Sequence, residues 1–197
     1  MYTISQQHVI PFSTWNISAW YPKTPEKNSG RMRKVNVISD KANKQLTIES
    51  PFLYTWGIED YKGDKNFKLN LQFPDEEHQN PDSQTFLEKL QAFETSIIDF
   101  AVANPVTVFG EQRSESQIRR QYNSFFKISQ SQKYAPKFQP KIGYGGNFDG
   151  EIEIYDAASK ALLYGNGKTT ANPIDLVPKG NLVKAIIRCS HIYIRPR

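Results

Sequence analysis

The chain has 197 residues, 38% apolar and 23% charged, with a net charge of +5. That is enough chain for one domain with a real core and an ordinary water-soluble composition. No stretch approaches the roughly 18 apolar residues of a membrane helix, the opening MYTISQQHVIPFSTW lacks the basic start and apolar run of a secretory signal, and Cys189 is the only cysteine, which excludes an internal disulfide framework and suits a reducing compartment. The expectation is an intracellular protein that is neither secreted nor inserted in a membrane.

The opening segment to Tyr21 alternates weakly and holds Trp15, Trp20 and Tyr21. A mobile basic loop is expected over 23–34, within PKTPEKNSGRMRK. VNVISD and KQLTIES then read as a hairpin turning across Lys41 to Asn43, and PFLYTWGI as a further short strand. KNFKLNLQF has the clearest period of two: Phe67, Leu69, Leu71 and Phe73 face a core, while Lys68, Asn70 and Gln72 face water.

The period changes at PDSQTFLEKLQAFETSIIDFAVAN. Asp82 or Ser83 is placed to cap a helix in which Phe86, Leu87, Leu90, Phe93, Ile97, Phe100 and Ala101 recur at three and four, ending before Pro105. SESQIRRQYNSFFKIS reads as a second, shorter helix with Ile118, Tyr122, Phe125 and Phe126 as its stripe, so 82–128 form a helical insertion. Strands resume at KFQPKI, EIEIYD, ALLY and LVKAIIRCSHIYI. The order predicts a single domain over 1–197 of the α+β class, mainly β: a small β-barrel interrupted by helices.

Three apparent reaction sites fail on their own chemistry. GNGKTT, Gly165 to Thr170, has the Gly-Lys-Thr of a phosphate loop, but Leu162 stands where the first glycine belongs. Ala171-Asn172-Pro173 follows instead of a helix that would receive the phosphate. Glu151 and Glu153 could share a magnesium ion in a metal-dependent nuclease, yet alternation with Ile152 and Ile154 is what an exposed strand face requires anyway. Cys189 and His191 supply two zinc ligands of the four needed, and a Cys-His nucleophile pair converges from distant segments. The expectation is therefore a protein without catalysis, metal or cofactor.

Charge distribution says more than net charge. Gln117 to Phe148 carries six cations and no carboxylate, and Lys179 to Arg197 carries five with none, while the acids gather between Glu59 and Asp99. Such segregation attracts polyanions. Aromatics are interleaved with these cations, as a groove for single-stranded nucleic acid requires: cations for the phosphates, rings on which bases stack. The expected contacts are Lys133, Lys137 and Lys141 along the phosphates, Arg31, Arg33 and Lys34 closing over from the loop, Arg119 and Arg120 in the short basic helix, Arg188 on a strand, and Trp20, Tyr134 and Phe138 as stacking rings. RNA or duplex binding, or a basic module for protein interaction or virion structure, remain alternatives.

The order of segments resembles the single-stranded DNA-binding proteins of the nucleocytoplasmic large DNA viruses. VNVISDKANKQLTIESPFLYTWGI resembles the family's hairpin and following strand. FKLNLQF with FLEKLQAFETSIIDFAVANPVTVFG resembles its strand and long helix. SESQIRRQYNSFFKIS with KYAPKFQPKI resembles its short basic helix and Tyr-x-Pro strand, and DLVPKGNLVKAIIRC its Pro-Lys-Gly turn and closing strand. The likeness runs from about Val35 to Cys189. It implies an OB-like Greek-key barrel with a long helical insertion, and binding of single-stranded DNA in viral replication, repair and recombination. Replication proteins and further copies of the chain are candidate partners. The family adds a Gly-rich turn and another strand where this chain ends in HIYIRPR.

Overall fold

The computed structural model describes residues 9–22, 26–27, 33–39, 44–60, 67–74, 80–128, 135–142, 152–165, 172–189 and 191–194; at 21, 26, 27, 33, 34, 36, 38, 39, 44, 191, 193 and 194 it describes the backbone alone. The protein is a mixed α+β structure with helix and strand in comparable amounts, more helical than the mainly-β expectation. The described strands form three sheets, with no closed barrel among them.

In chain order the first strands are β1 (Ile10–Pro11), β2 (Trp20–Pro22), β3 (Glu26–Lys27), β4 (Arg33–Ser39), β5 (Lys44–Glu49), β6 (Leu53–Asp60) and β7 (Phe67–Gln72). Helices α1 (Pro81–Ala103), α2 (Pro105–Phe109) and α3 (Glu115–Gln121) follow. Then come β8 (Phe126–Lys127), β9 (Lys137–Phe138), β10 (Ile154–Tyr155), β11 (Leu162–Tyr164), the short α4 (Pro173–Leu176), β12 (Leu182–Val183), β13 (Ile186–Cys189) and β14 (His191–Ile194). The chain divides into two compact units: one holds Phe52–Ser83 and Phe125–Lys184, the other Gln7–Pro51, Gln84–Ser124 and Ala185–Arg197.

The first unit is built on a five-stranded sheet in the order β12-β6-β7-β9-β8, antiparallel throughout. Side chains of partnered residues share a face, and Thr55, Leu71, Phe138 and Phe126 form one such row across four strands. All are buried, as are Leu53 and Phe73. Beneath them Phe73, Phe125, Phe126 and Phe138 pack ring against ring, with centroids 5.0 to 6.2 Å apart. Each such ring contributes roughly 1.5–3 kcal/mol on leaving water. A second cluster forms around Ile58, Phe67 and Val177.

A bulge breaks the register of β6. Thr55 pairs with Leu71 and Ile58 with Leu69, so Trp56 and Gly57 together oppose Asn70. Gly57 takes φ +91°, and a Cβ there would lie 3.1 Å from the Val177 carbonyl oxygen, so only glycine fits without strain. The Thr55 hydroxyl accepts from the Gly57 N–H (3.0 Å) and donates to the Asn70 carbonyl (2.7 Å). The Asn70 side chain donates to the Gly57 carbonyl (3.4 Å) and accepts from Gln139. Asn70 is therefore buried, where strict alternation predicts an exposed side chain: the bulge needs its amide.

The second unit pairs β4 with β5, β14, β2 and β3, and places β1 and β13 on β5. The expected hairpin is present, with Ile38 opposite Gln45 and Ser39 opposite Lys44. Of the closing segment HIYIRPR, the first four residues form β14, which runs antiparallel to β4 from His191 opposite Asn36 to Ile194 opposite Arg33. Helix α1 buries Phe86, Leu90, Phe93 and Ile97, the stripe its spacing predicts. Its cap is Asn80, whose Oδ1 accepts from the Ser83 N–H (2.8 Å), with Pro81 in the first turn; Asp82 and Ser83 lie inside the helix. The second predicted helix is shorter than expected. Ser114 and Gln117 close a capping box at its start and it ends at Gln121, so Phe126 belongs to β8 and Phe125 precedes it.

Candidate nucleic-acid interface

The other side of the β6 sheet is open. Strand alternation turns Leu53 and Thr55 inward, which turns Phe52, Tyr54 and Trp56 outward; these are 48%, 55% and 43% exposed. In the adjoining register Leu182, Tyr54, Gln72, Lys137 and Lys127 line up across all five strands. One row thus passes from an apolar side chain and a phenol to two ammonium groups. Rings on a water-facing sheet surface add little to folding, and an exposed cluster of them marks an interaction face.

Trp56 is held in place. Its indole N–H donates to Gln72 Oε1 (3.0 Å), and the Gln72 amide donates in turn to the Phe73 and Ala135 carbonyls (2.9 and 3.2 Å). Two cations approach its ring, Lys179 Nζ at 3.9 Å and Lys137 Nζ at 5.2 Å from the centroid. Lys184 Nζ stands 5.8 Å from the ring centre of Phe52. The Pro-Lys-Gly turn is what delivers Lys179. The Gly180 N–H donates to the Thr55 carbonyl (2.8 Å) and the Thr55 N–H donates to the Asn181 carbonyl (2.9 Å), fastening the turn beside β6. Gly180 takes φ +89° at the tip. Chemically the face offers flat apolar rings with ammonium groups standing over two of them, a combination suited to bases on a phosphate chain.

Among the expected contacts, Lys137 stands on this face. Phe138, the next residue, points the opposite way and is 8% exposed within the phenylalanine cluster, so it has no face to give a base. Lys141 is exposed and pairs with Lys68 of β7. Trp20 is a core residue of the second unit. Its ring is 9% exposed and meets Phe93 and Phe100 edge-on, and its N–H donates to Ser96 Oγ (2.9 Å). The second unit also carries Arg119, Arg120, Arg188, Arg33 and Lys34.

Arg119 is exposed and paired with Glu115 (2.7 Å) and Asp99 (3.3 Å); the hydrogen bond to Glu115 leads in holding its guanidinium above the usual range. Arg120 is exposed beside it, and Arg188 is exposed on β13 opposite Thr47. Arg33 and Lys34 lie on β4 opposite Lys27 and Glu26. Arg31, Lys133 and Tyr134 lie outside the described residues.

Phe52, Tyr54, Trp56, Lys179 and Lys184 were not anticipated as contacts. The signal for the three rings is in PFLYTWGI, where they stand at alternate positions with Leu53 and Thr55 between them. Of the carboxylates considered for a metal, Glu153 accepts from the Tyr155 hydroxyl (2.8 Å) and Glu151 is outside the described residues. Among the described residues no group of three or more His, Cys, Asp or Glu is placed to hold a metal ion, and no helix is long and apolar enough to cross a membrane. The chain matches no protein-family model, no curated protein and no solved structure.

Proposed function

We propose that this protein binds single-stranded DNA on the open face of the β6 sheet, with little sequence preference and without chemistry on the strand. The observation that carries the reading is the row of exposed rings at Phe52, Tyr54 and Trp56, edged by Lys137, Lys179 and Lys184. Unpaired bases present their faces to such rings, at roughly 1–3 kcal/mol per stack, and every base has a face to offer. A duplex hides those faces inside its own stack, so the rings favour single strands. Ammonium groups beside the rings hold phosphates as point charges without reading sequence. The choice of DNA over RNA follows the resemblance to the viral proteins. So does a role in replication, repair and recombination beside replication proteins. On this reading the antiparallel five-stranded sheet is the OB-like element of the fold, a type that binds oligonucleotides on a sheet face.

Fluorescence anisotropy of labelled oligo-dT with a salt titration tests the proposal. Binding at low salt that weakens as salt rises is expected. No affinity at low salt, or affinity indifferent to salt, would end it. Competition by single-stranded RNA and by duplex of equal length decides which nucleic acid is preferred.

A further inference from the structure

We infer, resting on that reading, that the open face takes one nucleotide per ring and so keeps its strand stretched, each base parted from its neighbours. Residues two apart on a strand are about 6.6–6.8 Å apart, whereas stacked nucleotides of one strand rise about 3.4 Å each. Phe52, Tyr54 and Trp56 therefore stand at about twice the stacked spacing. A base laid on each ring is too far from the next base to stack on it, and a base slotted between two rings touches rings on both sides. Either way the rings replace base–base stacking.

The row also has an end. The bulge puts Gly57, without a side chain, after Trp56, and Ile58 then turns into the core at 7% exposure. Cations stand by both outer rings, Lys184 by Phe52 and Lys137 with Lys179 by Trp56. Phosphates at the two ends of a three-nucleotide stretch thus have partners while its bases occupy the rings.

Circular dichroism of hexadeoxyadenylate tests this, because stacked adenines give a strong exciton couplet that separated ones lose. Anisotropy on the same labelled oligomer reports binding independently. Saturating the oligomer with protein at low salt is expected to remove about two-fifths of the couplet, the share of its steps that lie within a three-nucleotide site. Binding with the couplet intact would overturn the inference and leave single-strand binding standing. No binding would overturn both. The double variant Phe52→Ala with Tyr54→Ala, at exposed positions, retains its lysines and is expected to bind weakly with the couplet preserved. A couplet lost as fully as in the unaltered protein would show that the rings are not the cause.

Discussion

Lys179 holds its ammonium 3.9 Å from the centre of the Trp56 ring, while that ring is fixed from its edge by Gln72. An aromatic face and a cation are thus presented together by a tight turn and a bulged strand 123 positions apart in sequence.

Trp56→Ala is expected to weaken oligo-dT binding by about 5- to 150-fold, the equivalent of one stack of roughly 1–3 kcal/mol. The thermal midpoint should stay close to that of the unaltered protein, since the ring is half open to water and closes no core. Anisotropy titration beside a melting curve separates the two effects, and Trp56→Phe should recover most of the affinity.

Charge and stacking separate in their response to salt. Lys137→Gln and Lys179→Gln each remove one ammonium group from the ring face. The slope of log Kd against log salt should fall by about 0.7 for each phosphate left without its cation. Tyr54→Ala should weaken binding and leave the slope unchanged. Titrations at four or five salt concentrations make the comparison.

Trp20 provides the contrast. Trp20→Ala removes a ring packed against Phe93 and Phe100 and should cost about 3–5 kcal/mol of stability. Trp20→Phe, which removes the hydrogen bond to Ser96, should cost on the order of 1 kcal/mol for that bond. Urea denaturation measures both, and the affinity of the folded Trp20→Phe protein for oligo-dT should be unchanged.

Burial pushes the Cys189 thiol up from 9.0 to about 12, so the fold favours the neutral thiol. Below pH 9 both folded and unfolded thiols are neutral and stability is at its full value. Above it the unfolded chain ionises first, and stability falls as pH rises from about 9 towards 12. Tyr122, raised chiefly by burial and then by Glu94, acts with the same sign. Cys189→Ala should flatten the alkaline loss of stability without abolishing it, as read by urea midpoints across that range. Native Cys189 should react with iodoacetamide far more slowly than the unfolded thiol at the same pH.

Much of the framework is legible in particular residues. Phe67, Leu71 and Phe73 point inward as their period of two predicts, and Phe86, Leu90, Phe93 and Ile97 form the buried stripe of α1. In both elements a long repeat of one period overrides local ambiguity. Phe125 and Phe126 depart from their expected helix for the converse reason. Seven and eight residues after Ile118 the helical spacing still fits by chance, yet pairing of Phe126 with Phe138 decides for a strand. Asn70 is buried where alternation predicts water because the bulge in the neighbouring strand and Gln139 both bond its amide, and a period of two does not reveal such partners.

The site shows the same division. Sequence alone determined that cations are segregated from acids, that rings lie among them, and that PFLYTWGI alternates rings with smaller residues. Only tertiary structure decided which rings are available. Trp20 and Trp56 have equal intrinsic tendencies to be buried, but α1 supplies Phe93, Ser96 and Phe100 to cover the first. The second stands 43% exposed on a sheet face, with the ammonium groups of Lys137 and Lys179 by its ring. Alternation separates two faces of a strand; what covers each face is fixed by segments distant in sequence, and that is why Lys179 and Trp56 could meet without any local sign of it.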